Sequence, residues 1–147
     1  MSRVYLLWFG LAFCTGALLP IQAGMNARLR EVLGSPFRAA LVSFLVGTLV
    51  LVVLALLLRG GPAEPRQAPW WAWLGGVLGA TLLTATIVLV PRLGAAALFA
   101  AVVAGQLSMA TLIDHFGLVG YPALPVTASR ALGLVLLVAG ALLVLRR

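Results

Sequence analysis

The stretch FRAALVSFLVGTLVLVVLALLL, residues 37–58, contains a single charged residue, Arg38, near its start. A helix needs about 20 mainly apolar residues to cross the hydrocarbon core of a bilayer, and this run supplies them. The whole chain has the same character, because 63% of its 147 residues are hydrophobic and only 9% are charged. A soluble fold of this size exposes too much of its surface to hide so many apolar side chains. The composition therefore predicts an integral membrane protein.

Four other apolar runs reach or approach the same length, and turn-forming residues lie between them. We predict an all-α integral membrane protein with a single transmembrane domain over residues 1–147. Its bundle of about five transmembrane helices is expected at residues 4–28, 36–58, 70–90, 94–114 and 127–145. The connections are predicted to be an interfacial turn at 29–36, a Pro/Gly-rich loop at 59–69, a tight turn at 90–94 and a loop at 114–125.

The chain carries ten arginines, no lysine and three acidic residues, which gives a net charge of +7. Such a charge could indicate nucleic-acid binding. The arginines, however, lie at the ends of the apolar runs and form no basic patch, and membrane proteins place them in this way. We therefore expect the lipid bilayer, and no nucleic acid, as a partner of the chain.

The first apolar run ends in an unusual set of residues, GALLPIQAGMNARL at 16–29. At 100° per residue, Gln22 and Asn26 fall on one face of a helix. Pro20 removes a backbone donor and Gly16 relieves the clash with the proline ring, so we expect a helix kink beside this polar face. Transporters line their cavities with interrupted helices of this kind, which favours substrate binding by Gln22 and Asn26. Hydrogen bonds from both side chains to a neighbouring helix are an equally good interpretation.

Three further polar residues lie in or beside other apolar runs. Gln106 is the one strongly polar residue of the fourth run and should face protein or water. Ser43 is a weaker candidate, because membrane serines usually bond to a carbonyl of their own helix. Asp114 could couple transport to protons or bind a cation, or it could pair with an arginine such as Arg92 or Arg130. The candidate substrate-binding residues are thus Gln22, Asn26, Ser43, Gln106 and Asp114.

The sequence offers almost no groups for catalysis. His115 is the only histidine and Cys14 the only cysteine, so we expect no metal site and no disulfide. Paired carboxylates and a Ser-His-Asp set are missing as well. We therefore expect no enzyme activity and no cofactor.

Seven short segments, in order along almost the whole chain, together resemble the YdcZ-like family of the drug/metabolite transporter superfamily. They are PIQAGMN (20–26), GSPFRAALVSF (34–44), PWWAWLGGVLG (69–79), VPRLGAA (90–96), GQL (105–107), DHFG (114–117) and RALG (130–133). The resemblance implies a multi-pass exporter of about five helices in the bacterial inner membrane.

The superfamily resemblance also implies an assembly. Larger members resemble two fused five-helix halves of inverted topology, so a single half should form an inverted (antiparallel) homodimer with a cavity at its axis. A parallel dimer would use the same small-residue helix faces and is the alternative. Small multidrug exporters, which resemble this chain in size, carry an acidic residue in the first span. This chain lacks that residue, so neutral or zwitterionic substrates fit it better than cationic drugs.

These features predict a small membrane transporter that moves a small polar or amphipathic metabolite by alternating access. A passive channel would share the same lining, but its flux would not saturate. A non-transporting membrane assembly partner would instead form a stable complex with other proteins. We keep both as alternatives.

Arginine placement leads to a testable prediction about topology. With five spans, four arginines fall on one side of the membrane and six on the other, a weak bias towards a cytoplasmic C-terminus. An antiparallel homodimer requires insertion in both orientations, so C-terminal reporters active only inside and only outside the cytoplasm should both give signal. Signal from the inside reporter alone would contradict dual insertion and favour a parallel assembly or an oppositely inserted partner chain.

Overall fold

A computed structural model describes residues 3–58 and 68–146. These residues form five α-helices: α1 Arg3–Leu33, α2 Pro36–Leu58, α3 Gly75–Leu93, α4 Ala95–Phe116 and α5 Ala128–Leu145. Two short 3-10 helices precede α3 and follow α4, at Trp70–Leu74 and Leu118–Gly120. No β-strand occurs among the described residues. Five helical segments are long and apolar enough to cross a membrane, which confirms the predicted all-α membrane fold with about five spans.

The first helix is longer than predicted. It continues to Leu33, through residues for which we expected an interfacial turn, and only Gly34 and Ser35 separate it from α2. Gly34 has a φ of 68°, and its N–H donates to the carbonyl of Arg30 at 2.8 Å. The Arg38 Nη1 donates to the carbonyl of Leu33 at 3.3 Å. These bonds satisfy carbonyls that a helix end leaves without partners, so the helix extends until Gly34 ends it.

The helix α1 is also continuous through Pro20. The proline therefore does not break the helix, and the kink at Gly16 and Pro20 stays a prediction. At 1.5 Å per residue a helix of 31 residues is about 46 Å long. A hydrocarbon core is only about 30 Å thick, so α1 must tilt or extend beyond it.

Most of the Pro/Gly-rich loop expected at 59–69 lies outside the described residues. The three tryptophans that follow it, Trp70, Trp71 and Trp73, lie on the 3-10 turn that opens into α3, and all three are exposed. Tryptophans at the end of a span anchor it at the membrane–water interface, which is the role we expect of them here.

The chain divides into two compact units, Met1–Arg92 and Leu93–Arg147. The core of the first unit forms where α2 meets α3: Ala39, Ala40 and Ile87 are buried there, and Leu29 of α1 packs against them. The two adjacent alanines of α2 leave room for the larger Ile87 side chain. The single transmembrane domain over residues 1–147 stays a prediction.

The second unit contains α4 and α5. Its buried residues are again mostly small: Ala97, Leu98 and Ala104 on α4, and Ala141 on α5. Two helices with small residues on their facing sides can pack closely without a thick layer of apolar side chains.

The tight turn predicted at 90–94 is confined to Gly94, and the predicted end of the third helix at residue 90 is wrong. Pro91 lies inside the last turn of α3, and Gly94, with a φ of 79°, follows that helix. A proline inside a helix cannot donate to the carbonyl four residues earlier, which here belongs to Ile87. The Nη1 of Arg30 on α1 donates to this carbonyl at 3.4 Å. A side chain of α1 thus supplies the hydrogen bond that α3 lacks, and this allows the proline within the helix.

We predict that this hydrogen bond makes the effects of Arg30 and Pro91 on stability depend on each other. Arg30→Leu should destabilise the chain by about 1–3 kcal/mol, because it leaves the Ile87 carbonyl without a donor. In a Pro91→Ala background, where the backbone N–H is restored, the same change should cost less. Unfolding of the purified chain in detergent micelles would measure this double-mutant cycle.

The matched control is Arg28→Leu, since Arg28 also lies on α1 but forms an exposed ion pair with Glu31. Its effect should be small and the same in both backgrounds. Additive effects of Arg30→Leu and Pro91→Ala would show that the hydrogen bond to Ile87 contributes nothing to stability.

Candidate functional site

Most hydroxyl side chains in the helices bond to their own helix. Five of them donate to a carbonyl three or four residues earlier at 2.7–2.9 Å: Thr15, Thr81, Thr86, Ser108 and Thr111. Ser43 and Thr48 on α2 and Thr84 on α3 differ, since their hydroxyls form no hydrogen bond with any described residue. Ser43 and Thr48 are the only hydroxyl side chains of α2. Their hydrogen-bonding groups are therefore available to a ligand, to water or to another chain.

Both hydroxyl residues line one cavity of about 200 Å³ in the first unit, which we call the α1–α2 cavity. Its lining consists of Gln22, Ser43, Phe44, Gly47, Thr48, Leu51 and Leu83. Gln22 contributes an amide from α1, and its side chain also forms no hydrogen bond with the described residues. The cavity thus combines three uncharged polar side chains with an apolar wall, as small-molecule sites commonly do.

The spacing of residues on α2 explains this arrangement. Ser43, Gly47 and Leu51 are four residues apart and lie on one face of the helix. A Cβ atom at Gly47 would have no other side chain or helix within 4 Å, so the glycine leaves open space beside the serine. The structure therefore brings two predicted residues, Gln22 and Ser43, to the same cavity. Thr48 was missed by the sequence analysis, although it is the only other hydroxyl of an otherwise apolar helix.

Asn26 lies one turn beyond Gln22 on α1 but in a different environment. Its side chain is only 5% exposed, and its Nδ2 has no hydrogen-bond acceptor among the described residues. A buried donor without a partner costs about 1–3 kcal/mol. The predicted polar face of α1 thus has an exposed amide at Gln22 and a buried, unsatisfied amide at Asn26.

Asp114 belongs to a second cavity, of about 360 Å³, which lies between α4 and α5 and which we call the α4–α5 cavity. Its lining consists of Leu107, Ala110, Thr111, Asp114, Arg130, Gly133, Leu134 and Leu137. The Oδ2 of Asp114 lies 3.6 Å from the Nη1 of Arg130. Of the alternatives for Asp114, the structure thus shows an ion pair with Arg130. This pair also joins the DHFG and RALG segments, which lie on either side of the loop between α4 and α5.

The loop between α4 and α5 holds this pair in place. Gly117 ends α4 with a φ of 61°, and a side chain there would approach Ala123 to 3.2 Å. The N–H of Leu124 donates to the Asp114 carbonyl at 2.6 Å, and the N–H of Val126 donates to Nδ1 of His115 at 3.3 Å. The chain is thus folded back against the end of α4. His115 contributes to this loop through its ring nitrogen.

Gln106 lies on α4 in the second unit, and its side chain is exposed at the surface of the chain. An exposed amide in an apolar span should contact protein or water rather than lipid, as we expected from the sequence. Of the five candidate residues, Gln22 and Ser43 share the α1–α2 cavity, Asn26 is buried beside them on α1, and Asp114 lines the α4–α5 cavity.

We predict that Asn26→Leu stabilises the chain by about 1–3 kcal/mol, because it replaces an unsatisfied buried donor by an apolar side chain of similar size. Unfolding in detergent micelles or nanodiscs would measure the change. Gln22→Leu is the matched control, since Gln22 is exposed and should change stability much less. A destabilising Asn26→Leu would show that the amide of Asn26 has a hydrogen-bond partner in the native assembly.

The chain is similar to a family of inner-membrane proteins over nearly its full length. The family model described as "Putative inner membrane exporter, YdcZ" matches residues 7–143. The Escherichia coli (strain K12) protein named "Inner membrane protein YdcZ" is 34% identical over 136 residues, which cover 90% of each chain. No solved structure matches the chain.

Proposed function

The chain belongs to the YdcZ family of multi-pass inner-membrane proteins, and we propose that it exports a small polar or amphipathic metabolite through the α1–α2 cavity. This proposal rests on one observation: Gln22, Ser43 and Thr48 line the same cavity. Polar side chains inside a membrane are costly unless they bind something. Most other hydroxyls of the helices are satisfied locally, so a cavity with three unsatisfied polar side chains favours a ligand site.

The chemistry of the cavity indicates what the substrate offers. An amide provides two donors and an acceptor, and each hydroxyl can donate and accept. None of the lining side chains carries a charge. Neutral hydroxyl, amide or carbonyl groups would therefore find matching partners, while Phe44, Leu51 and Leu83 would contact an apolar part of the same molecule.

The proposed site is completed by a second copy of the chain. Gln22 is exposed on a helix that crosses the membrane, and facing lipid would leave the hydrogen-bonding groups of its amide unsatisfied. Another protein surface or a water-filled path must therefore cover it. An antiparallel homodimer would place the Gln22 residues of both copies along one path, and alternate opening of the two sides would move the substrate.

Metabolite export from bacterial cells that overproduce the chain tests this proposal and identifies the substrate in the same experiment. Mass spectrometry of the medium should show at least one small metabolite enriched over cells with empty vector. The double variant Gln22→Ala/Ser43→Ala should lower that enrichment about tenfold. A loss of about 1.4 kcal/mol in the free energy of substrate binding corresponds to a factor of ten.

The matched control substitutes two hydroxyl residues, Thr15→Ala and Thr81→Ala, whose hydroxyls bond within their own helices. This variant should export at the level of the unmodified chain. Equal export by the Gln22/Ser43 variant would place the site elsewhere. Once a substrate is known, saturation and counterflow in liposomes would distinguish alternating access from a passive channel.

A further inference from the structure

Asp114 and Arg130 occupy helix ends that do not favour their charges. Asp114 lies in the last turn of α4, where the helix dipole is negative, and Arg130 lies in the first turn of α5, where the dipole is positive. Helix stability therefore does not explain either charge. The local fields have another consequence: the end of α4 favours a bound cation and the start of α5 favours a bound anion.

The pair retains much of its bonding capacity. Its closest atoms, 3.6 Å apart, are farther than the 2.7–2.9 Å of a short charge-assisted hydrogen bond. A guanidinium has five N–H donors and a carboxylate has about four acceptor sites. Among the described residues, neither side chain has another bonding partner, and 32% of the Asp114 side chain and 44% of the Arg130 side chain are exposed.

The rest of the α4–α5 cavity is apolar. Leu107, Leu134 and Leu137 form most of its wall, and the Thr111 hydroxyl already donates to the Leu107 carbonyl. Gly133 leaves open space, since a Cβ atom there would have no other side chain or helix within 4 Å. The cavity thus has one acidic group, one basic group and an apolar remainder of a size suited to a small metabolite.

We propose that the α4–α5 cavity binds a small zwitterion with an apolar side chain, of the α-amino-acid class. The ligand ammonium contacts the Asp114 carboxylate and the end of α4. The ligand carboxylate contacts the Arg130 guanidinium and the start of α5, and the apolar part lies against the leucines. This inference rests on the proposed function in one respect, namely that amino acids become candidate substrates of the exporter. The binding site itself does not depend on the proposed function.

Thermal unfolding of the purified full chain in nanodiscs tests the site with L-leucine as the probe. Leucine should raise the Tm in a concentration-dependent way. Two analogues of leucine that each lack one charge, 3-methylbutylamine and 4-methylpentanoate, should raise the Tm much less at the same concentrations. Asp114→Asn and Arg130→Gln should each remove the leucine effect. Arg28→Gln, which breaks the exposed Arg28–Glu31 pair, should preserve it.

A second variant tests the site even if the Asp114 and Arg130 variants fail to fold. Gly133→Leu replaces glycine by a better helix former and fills the cavity while both charged residues are kept. It should fold and lose the leucine effect, whereas Gly140→Leu, on the same helix but outside the cavity lining, should keep it.

The proposal is overturned if leucine leaves the Tm of the unmodified chain unchanged, or if both single-charge analogues raise the Tm as much as leucine does. It is also overturned if leucine still raises the Tm of Gly133→Leu. Failure of the proposed function would be recognised separately. It would appear as unchanged metabolite export by the Gln22/Ser43 variant, a result that does not depend on Asp114 or Arg130.

Discussion

The structure depends on one constraint: in hydrocarbon, every polar backbone group must find its partner within the protein. Helices meet this constraint by themselves except at their ends and at prolines, and there the chain supplies specific partners. Arg30 donates to the Ile87 carbonyl that Pro91 leaves free, and Arg38 donates to the end of α1. Two arginines that appear in sequence only as membrane-flanking charges therefore also complete the helices.

The same constraint separates structural polar residues from candidate functional ones. Hydroxyls that bond to their own helix, such as Thr15 and Thr111, are already satisfied and need no ligand. Gln22, Ser43 and Thr48 have no such partner among the described residues, and they line a common cavity. Unsatisfied polar groups in an apolar environment are retained at a free-energy cost, and in a transporter this cost is offset when a substrate or a second chain binds.

The two units offer different chemistry. The α1–α2 cavity presents only uncharged groups, whereas the α4–α5 cavity presents an acidic and a basic group against leucines. Neither cavity carries an excess of negative charge that would favour a cation. The expectation of neutral or zwitterionic substrates, which arose from the lack of an acidic residue in the first span, stays a prediction.

The sequence by itself determined the membrane environment, the number of spans and most of their ends, because these follow from the length of the apolar runs and from the turn-forming residues between them. It also indicated Gln22 and Ser43, since polar residues are conspicuous in apolar helices. Only the tertiary structure decided that α1 continues to Leu33, that Pro91 stays within α3, and that Arg130 is the partner of Asp114. These features depend on side chains from other helices or from beyond the helix end. Periodicity along a single helix carries no information about such contacts.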